Sequence, residues 1–362
     1  MNINLIQNNK SPLVSIVIPA YNAELYLEAC LESVSLQTYH NFEVNIIDDG
    51  STDRTKKIAM EYSSKDKRFH YFYQKNQGLS ESRNHGIRVS HGKYLLFLDS
   101  DDLLNKKCLN TVTEQIELYK ADICVFGTEI HWIEDNYKIV KCCPTRFGTG
   151  NPQLAIIIEE LLKSGLFNYA WNKLYKKEKL TEVKFKKGSE PAEDFIFNCE
   201  YFSKCSSLLL IEDVLYSYIK HGSDSLVEKY FPNLEKVYEE KKIAWTNLVK
   251  KLEFSADKAQ YLELEREFYE KESFALNLLK SKTADQERLD KIKKYVLNTD
   301  CKDKYNSIQN LGLYEKIFKL LCNFNSPRLM LLSYKIMAFL KLRFNIIHRK
   351  IRKLNNLYLA KK

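Results

Sequence analysis

The stretch YLLFLDSDD, residues 94–102, decides the fold of this chain. Its first five residues have the composition of a buried strand, and three carboxylates follow at once, at Asp99, Asp101 and Asp102. Negative charges at the end of a buried strand are costly unless a cation lies beside them. The stretch therefore predicts a strand of an open α/β sheet that ends in a divalent metal site.

A second acidic cluster ends another apolar run, about fifty residues earlier. Residues 42–47, FEVNII, lead directly into DDGSTD at residues 48–53. The carboxyl ends of parallel strands meet along one edge of a sheet, and ligands of open α/β sheets bind in the crevice there. We therefore expect both acidic clusters to line a single ligand crevice.

Strand-like and helix-like stretches alternate through the first hundred residues. The predicted strands are 14–18, which Pro19 ends, then 43–47, 69–73 and 94–98, and the predicted helices are 24–36, 52–62 and 78–90. Ser51, Thr52 and Asp53 are expected to cap the second helix. This alternation predicts parallel βαβ units, so the expected fold class is α/β, a doubly wound and mainly parallel mixed sheet.

The rest of the chain reads as mixed structure followed by helices. We predict helices at 103–120 and 152–164, strands at 123–130 and 138–142, a helix that opens near Glu193, and an almost wholly helical region from about residue 230. The predicted domains are accordingly 1–228, which is of the α/β type, and 229–362, which is all-helical.

The composition is that of an ordered globular protein, with 44% hydrophobic and 28% charged residues among 362. The formal charge of +9 has a local origin, because residues 316–362 hold twelve Lys or Arg and no Asp or Glu. The remainder carries 44 basic and 47 acidic residues, a net charge of about −3. No nucleic-acid-binding motif accompanies the basic segment, so nucleic acid is not an expected partner.

Cysteine usage and hydropathy point to the inside of the cell. The nine cysteines show no Cys-x-x-Cys spacing, so we expect reduced thiols. The apolar stretch 13–20 is too short for a leader, and no run reaches the roughly 18 to 20 apolar residues of a spanning helix. We therefore expect a cytoplasmic protein.

Six short motifs occur in an order that resembles the catalytic domain of inverting glycosyltransferase family 2, which has the GT-A fold. They are VSIVIPAYN at 14–22, QT at 37–38, EVNIIDDGSTD at 43–53, NQGLS at 76–80 with RN at 83–84 and Gly86, DSD at 99–101, and ED at 193–194. Each motif is weak alone, but six in order across about 200 residues are specific. The resemblance does not extend with any precision beyond residue 228.

The resemblance implies an enzyme of the hexosyltransferase type that takes its sugar from a nucleotide sugar, with a lean towards UDP. Tyr21 is expected to pack on the base, Asp49 to accept a hydrogen bond from its imide edge, and Arg83 to contact base or phosphate. The full set of implied nucleotide-binding residues is Pro19, Tyr21, Asn22, Asp49, Gly50, Arg83, Asp99 and Ser100. Tyr21 as a core residue and Asp49 as a helix cap are the alternatives.

The resemblance also implies a metal and a base. Asp101 is expected to bind Mg²⁺ or Mn²⁺, with His221 as a further metal or phosphate ligand, against the alternatives of a solvated acidic turn and a loop histidine without a role. Asp194 is the expected general base for the acceptor hydroxyl, with Glu193 as the other candidate. Trp171 either stacks on an acceptor sugar or belongs to the core.

The implied acceptor is a saccharide or a lipid-linked saccharide, such as one carried on polyprenyl diphosphate, in bacterial surface polysaccharide synthesis. Two alternatives stay open: transfer to polyprenyl phosphate itself, and a non-catalytic scaffold that binds sugar nucleotides at a membrane. Polyprenyl phosphate is already ionised, so that transfer would not need Asp194. Retention of both Asp101 and Asp194 speaks against the scaffold.

The last segment has the pattern of a helix at a membrane surface. Apolar residues recur at helical spacing over about 328–356, at Ile336, Leu340, Phe344, Ile347, Ile351 and Leu354. Lys and Arg occupy much of the remainder, as in interfacial helices on anionic lipid. We expect peripheral contact with the inner face of the bacterial cell membrane, against the alternative of a helix docked on the catalytic domain.

Overall fold

The structure is a computed structural model that describes residues 12–133, 137–221, 229–298, 303–309 and 311–337. Its residues form two compact units. The first contains residues up to 220 together with 240–253, and the second contains 221–239 and the residues from 254 onwards. The predicted domain boundary after residue 228 lies in a segment outside the described residues and stays a prediction.

In the described part of the chain, ten strands form one mixed, mostly parallel sheet. They are β1 Val14–Ala20, β2 Phe42–Asp48, β3 Phe69–Tyr73, β4 Tyr94–Phe97, β5 Leu103–Leu104, β6 Ile123–Trp132, β7 Tyr137–Lys141, β8 Arg146–Thr149, β9 Lys173–Lys176 and β10 Ser207–Lys220. Their order is β3-β2-β1-β4-β9-β6-β10-β5, with β7 beside β6 and β8 beside β10. The predicted α/β fold class is confirmed.

The helices follow the strands as an α/β fold requires. They are α1 Leu27–Ser35, α2 Thr55–Lys65, α3 Leu79–Val89, α4 Cys108–Tyr119, α5 Gly150–Ser164, α6 Glu193–Lys204, α7 Leu234–Lys251, α8 Ala256–Leu279, α9 Asp285–Lys291, α10 Leu313–Phe324 and α11, residues 327–337. All residues of β1 and β2 are buried, as expected for parallel strands covered on both faces. In α1 the apolar side chains at helical spacing, Leu27, Leu31 and Val34, are buried too.

The first strand is longer than predicted, because Pro19 does not end it. Pro19 pairs with Ile47 of β2, and β1 continues to Ala20. The ladder between β1 and β4 stops at Val17, paired with Phe97. The missing N–H of Pro19 therefore falls where β4 no longer needs a donor from β1.

Three predicted helices begin later than expected, and the first of them begins at Leu27 rather than at residue 24. The predicted helix 103–120 consists of the short strand β5, which pairs with β10, followed by α4. The second helix begins at Thr55 rather than Thr52. Asp53 accepts a hydrogen bond from the Thr55 N–H at 2.9 Å and another from the Glu24 N–H at 3.0 Å, so residues before 55 tie down the loop after β1 instead of forming a helical turn.

The described residues of the second unit are mainly helical, as predicted. Its core contains ring contacts of Phe268 with Tyr305 at 5.2 Å and with Phe318 at 5.1 Å. Phe318 of α10 also contacts Tyr334 of α11 at 6.3 Å. Of the predicted helix 328–356, residues 328–337 are helical, and the predicted stripe residues from Leu340 to Leu354 lie outside the described residues.

Two further observations concern the described residues. Eight of the nine cysteines lie there, and none of these eight forms a disulfide. Among the helices described, none combines the length and the apolar composition that a membrane span requires.

Candidate active site

The buried guanidinium of Arg83 joins two of the predicted site carboxylates. Arg83 lies on α3 and is 2% exposed. One of its terminal nitrogens bonds Asp194 Oδ1 at 2.6 Å, and the other bonds Asp99 Oδ1 at 2.8 Å. The acidic turn after β4 and the first turn of α6 are thereby brought to one place, although they are about a hundred residues apart in sequence.

This placement changes the interpretation of Arg83. A contact with base or phosphate was expected, yet both terminal nitrogens are engaged by carboxylates and the side chain is almost fully enclosed. The two negative charges also account for the raised pKa of the guanidinium, against the opposing effect of burial. Arg83 therefore positions Asp99 and Asp194 in this structure rather than presenting donors to solvent.

The two carboxylates at the start of α6 differ in their partners. Asp194 accepts hydrogen bonds from Arg83 and, through Oδ2, from the Ala170 N–H at 2.9 Å. Glu193 Oε2 is buried and has no hydrogen-bond partner within the described residues. Burial raises the pKa of Asp194 while Arg83 opposes it, and burial with the adjacent Asp194 charge raises the pKa of Glu193 to about 7.

The turn before β9, which donates the Ala170 N–H to Asp194, is fixed by buried hydrogen bonds. Lys173 is fully buried, and its ammonium donates to the Leu166 carbonyl at 2.8 Å and to the Tyr169 carbonyl. Asn198 of α6 donates to the Phe167 carbonyl at 2.7 Å. The turn before β9 and the helix that carries Asp194 are thus fixed to each other through buried polar contacts.

Asp49 organises the loop that leads into α3. Its Oδ1 accepts hydrogen bonds from Gln74 Nε2 at 2.7 Å and the Gln77 N–H at 2.9 Å, and its Oδ2 accepts one from the Gly78 N–H at 2.8 Å. The carboxylate therefore lies at the N-terminus of α3, where the helix dipole favours negative charge. Its predicted contact with a nucleobase stays a prediction.

The loops after β1 and β2 are joined to each other. Asn22, in the left-handed region at φ 49°, donates its N–H to Ser51 Oγ at 3.0 Å and accepts the Thr52 N–H at 2.9 Å. Gly50 has φ 79°, and a Cβ there would lie 2.9 Å from the Asn76 nitrogen, so only glycine fits. Tyr21 is 54% exposed beside these loops, which removes the core alternative for its ring.

The acidic turn after β4 divides into a buried and an accessible part. Asp102 is fully buried and accepts hydrogen bonds from Tyr216 Oη at 2.6 Å and the Ile219 N–H at 2.7 Å. Burial, with the charges of Asp101 and Asp99, raises its pKa well above the usual range. Ser100 and Asp101 are half-buried, so they lie at the rim of the turn.

These residues fit a metal that is shared with a ligand, and not an all-protein metal cage. In the ranges the structure describes, no group of three or more His, Cys, Asp or Glu side chains is arranged to enclose an ion. His221 directly follows β10 and is half-buried. Mg²⁺ is usually bound through one or two carboxylates plus substrate phosphates, and the half-buried Asp101 is a carboxylate of the kind that such an ion takes.

Trp171 does not lie where an acceptor could stack on it. It is 3% exposed, with Tyr216 stacked at 4.2 Å and Tyr169 at 4.5 Å. Neighbouring rings therefore cover the indole, and Trp171 is a core residue, the alternative that its sequence context left open. Its expected stacking on an acceptor is not supported, because burial leaves no face for a sugar.

Several supporting residues escaped sequence analysis. Tyr216 anchors the acidic turn, accepting the Asp99 N–H at 3.3 Å as well as donating to Asp102. Lys173 and Asn198 hold the turn beside Asp194. In the sequence these residues stand out only as polar side chains in apolar surroundings, and this pattern does not show which groups they contact.

Comparisons with known proteins agree with this architecture. The family described as Glycosyl transferase family 2 matches residues 15–190. The uncharacterized glycosyltransferase EpsJ of Bacillus subtilis is 30% identical over 243 residues, which cover 65% of this chain and 70% of EpsJ. The putative glycosyltransferase EpsH of the same organism is 32% identical over 231 residues, 61% of this chain and 64% of EpsH.

A solved structure shares the fold. S. aureus TarS 1-349, in complex with UDP-GlcNAc, aligns with a TM-score of 0.66 and 19% identity, covering 89% of this chain and 91% of that one. At this identity the match speaks for the fold alone. Together with the strand order and the carboxylates at the sheet edge, these matches show that the chain belongs to glycosyltransferase family 2, an enzyme family with the GT-A fold.

Proposed function

We propose that this glycosyltransferase is a metal-dependent inverting enzyme that transfers one sugar from a UDP-sugar to a hydroxyl of a saccharide or lipid-linked saccharide. The observation that carries the proposal is the sharing of Arg83 between Asp99 and Asp194, at 2.8 and 2.6 Å. A carboxylate of the acidic turn and a carboxylate suited to proton abstraction thus flank one site. Donor and acceptor chemistry can meet there.

The proposed preference for a uridine nucleotide rests on two features. The exposed ring of Tyr21 offers a face for a base, and the carboxylate of Asp49 lies one strand away, at the end of β2. TarS, which shares the fold, was solved with UDP-GlcNAc and with UDP. We infer that Pro19, Tyr21, Asn22, Asp49, Gly50, Asp99 and Ser100 form the nucleotide-binding edge.

The proposed metal is Mg²⁺ or Mn²⁺, held by Asp101 with the donor diphosphate, and His221 is a further candidate ligand. When bound, the ion supplies positive charge beside the departing diphosphate. Asp99 cannot serve this ion alone, because Arg83 already engages its Oδ1. Asp102 is buried against Tyr216, so Asp101 is the carboxylate best suited to the metal.

Asp194 is the proposed general base. Arg83 and the Ala170 N–H fix its two oxygens, so its orientation is set before an acceptor arrives. A pKa raised by burial makes the carboxylate a better proton acceptor than an exposed aspartate. A single in-line displacement at the anomeric carbon, with one base, inverts an α-linked donor to a β-linked product. Glu193 is the alternative base.

The setting we propose is bacterial surface polysaccharide synthesis, with the second domain, 229–362, bringing the enzyme to anionic lipid through its basic helix at about 328–356. The proposed catalytic domain is 1–228. A buried, oriented carboxylate favours a hydroxyl acceptor, which has a proton to lose. Polyprenyl phosphate, the alternative acceptor, is already ionised and would not need Asp194 as a base.

The proposal is tested by turnover with water or short saccharides as acceptor. The full chain is incubated with MnCl₂ and each of a panel of α-linked UDP-sugars, and UDP release and the anomer of the freshly released sugar are followed by proton NMR. We expect UDP release with the β-anomer appearing first. Appearance of the α-anomer first, or release from another nucleotide class only, would contradict the proposal.

A further inference from the structure

Helix α10 carries apolar side chains on two opposite faces. Phe318, Leu321 and Cys322 are buried. On the other side Leu313, Leu320 and Phe324 recur at spacings of seven and four residues, which places them on one face of the helix. Leu320 is 55% exposed and Phe324 62% exposed. An exposed stripe of this kind indicates an interaction surface.

The following helix repeats the arrangement. In α11, Met330, Leu331 and Tyr334 are buried, and Tyr334 contacts Phe318 of α10. Its exposed apolar residues are Leu329, Leu332 and Ile336, at spacings of three and four. The buried faces of the two helices therefore meet in the core of this unit, and each helix keeps a second apolar face in solvent. We call the exposed apolar side chains of α10 and α11 the apolar surface.

The charges along α10 and α11 are predominantly positive. Residues 313–337 contain Lys316, Lys319, Arg328 and Lys335, and the single acid is Glu315, which is half-buried. Lys335 pairs with Asp285, and Lys319 donates to the Asn306 carbonyl. Lys316 and Arg328 are exposed. The eight Lys or Arg of residues 338–362, again without an acid, extend the basic composition.

We infer that the apolar surface of α10 and α11 docks on an anionic lipid membrane. Apolar side chains interleaved with cations suit the boundary between lipid headgroups and acyl chains, where both kinds of group are satisfied. A second copy of this chain would place like charges opposite each other, since a two-fold interface pairs identical patches. A nucleic acid would leave the apolar side chains without partners.

This inference deepens the membrane part of the proposed function and rests on it. The helix predicted at about 328–356 begins in α11, whereas α10 lies outside it. Contact through α10 would add a second anchoring element, and stable attachment to membranes generally takes two weak signals. The orientation of the enzyme on the lipid would then be fixed by two helices.

Point variants of the full chain test the surface. Leu320→Ser with Phe324→Ser removes two exposed apolar side chains from α10. Ile156→Ser with Ile243→Ser is the matched control, because those side chains are 57% and 59% exposed in the other unit. Flotation with vesicles of phosphatidylglycerol and phosphatidylcholine measures binding, and circular dichroism checks that each variant is folded.

The expected result is a roughly tenfold or greater loss of vesicle binding for the α10 variant, with the control unchanged. Binding of the unaltered chain should also fall on vesicles of phosphatidylcholine alone. Equal binding of the α10 variant and the unaltered chain would overturn the inference. So would sedimentation showing that the unaltered chain is a dimer and the α10 variant a monomer, because the occupant would then be a second copy.

A third variant separates this inference from the proposed function. Neutralising Arg349, Lys350, Arg352 and Lys353 with Gln weakens the predicted basic helix only. If this variant loses binding while the α10 variant keeps it, the proposed membrane contact stands and the surface on α10 fails. If both variants bind vesicles as well as the unaltered chain does, the proposed membrane contact and the docking surface on α10 are both contradicted. Nucleotide-dependent stabilisation, measured on the same samples, reports the catalytic part separately.

Discussion

Arg83 bonds Asp194 at 2.6 Å from within the protein interior, and it bonds Asp99 at 2.8 Å with its other terminal nitrogen. The proposed base and the acidic turn therefore share one cation. Neither carboxylate can move or change its charge without affecting the other through this guanidinium. The pairing explains how two motifs far apart in sequence form one site.

Replacing Arg83 should strongly destabilise the folded protein. Arg83→Met leaves two partly buried carboxylates without a counter-charge, which should lower the free energy of unfolding by about 3 to 5 kcal/mol. Denaturant unfolding measures this. Arg88→Met, which removes a mostly exposed ion pair with Glu81, is the control and should cost less than about 1 kcal/mol. A similar small cost for both variants would contradict the bridging role.

The two candidate bases can be separated by amide variants. Asp194→Asn should lower the turnover rate by about 100- to 10,000-fold, the range for loss of general base catalysis, because an amide cannot take the acceptor proton. Glu193→Gln should have a much smaller effect. Initial rates of UDP release with a saccharide acceptor provide the measurement, and a larger loss in Glu193→Gln would transfer the base role to Glu193.

Glu193 should also affect how stability depends on pH. Its pKa in the folded protein is raised from 4.5 to about 7 by burial and by Asp194, so ionisation opposes folding. This cost begins as pH rises above about 4.5 and is complete above about 7. Glu193→Gln should therefore gain stability relative to the unaltered chain over this window, by at most about 3 kcal/mol.

Thermal unfolding at pH 5 and pH 8 measures this difference, with Glu212→Gln at an exposed position as the matched control. A stability difference for Glu193→Gln that stays constant across the window would show that the carboxyl is not held at a raised pKa.

Tyr216 should anchor the acidic turn. Tyr216→Phe removes the hydroxyl that donates to Asp102 at 2.6 Å and leaves a buried carboxyl with one fewer partner, which should cost about 1 to 3 kcal/mol. Tyr218→Phe, two residues along the same strand, is the control. Equal unfolding midpoints for Tyr216→Phe and the control would show that the turn does not depend on this hydroxyl.

The parallel half of the sheet was predictable because its signals are local. Apolar runs such as 94–98, alternating with helical spacing, predicted β1 to β4 and α1 to α3 with small shifts at the ends. The later strands were harder. Strands β9 and β10 contain buried polar residues such as Lys173 and Ser207. Lys173 donates to the Leu166 carbonyl in the turn before its strand, and Ser207 Oγ accepts the N–H of Asp122, which is 85 residues away in sequence.

Motifs identified the candidate site residues, but they did not identify the partners of those residues. Sequence order identified Arg83, Asp99 and Asp194 separately, while the interaction of all three depends on how α3 and α6 pack on the sheet. Trp171 shows the converse, since an aromatic residue beside a motif is equally compatible with a binding face and a core position. Only the rings stacked around it decide between them.

Thermal stabilisation by nucleotides with and without Mn²⁺, for the unaltered chain and Asp101→Ala, tests the central claim most directly. UDP with Mn²⁺ should raise the melting temperature of the unaltered chain more than GDP, ADP or CDP does, and more than UDP with chelator. Asp101→Ala should lose the Mn²⁺-dependent part. A UDP effect that is equal with and without metal, and unchanged in Asp101→Ala, would contradict a UDP-sugar site assembled around a metal at Asp101.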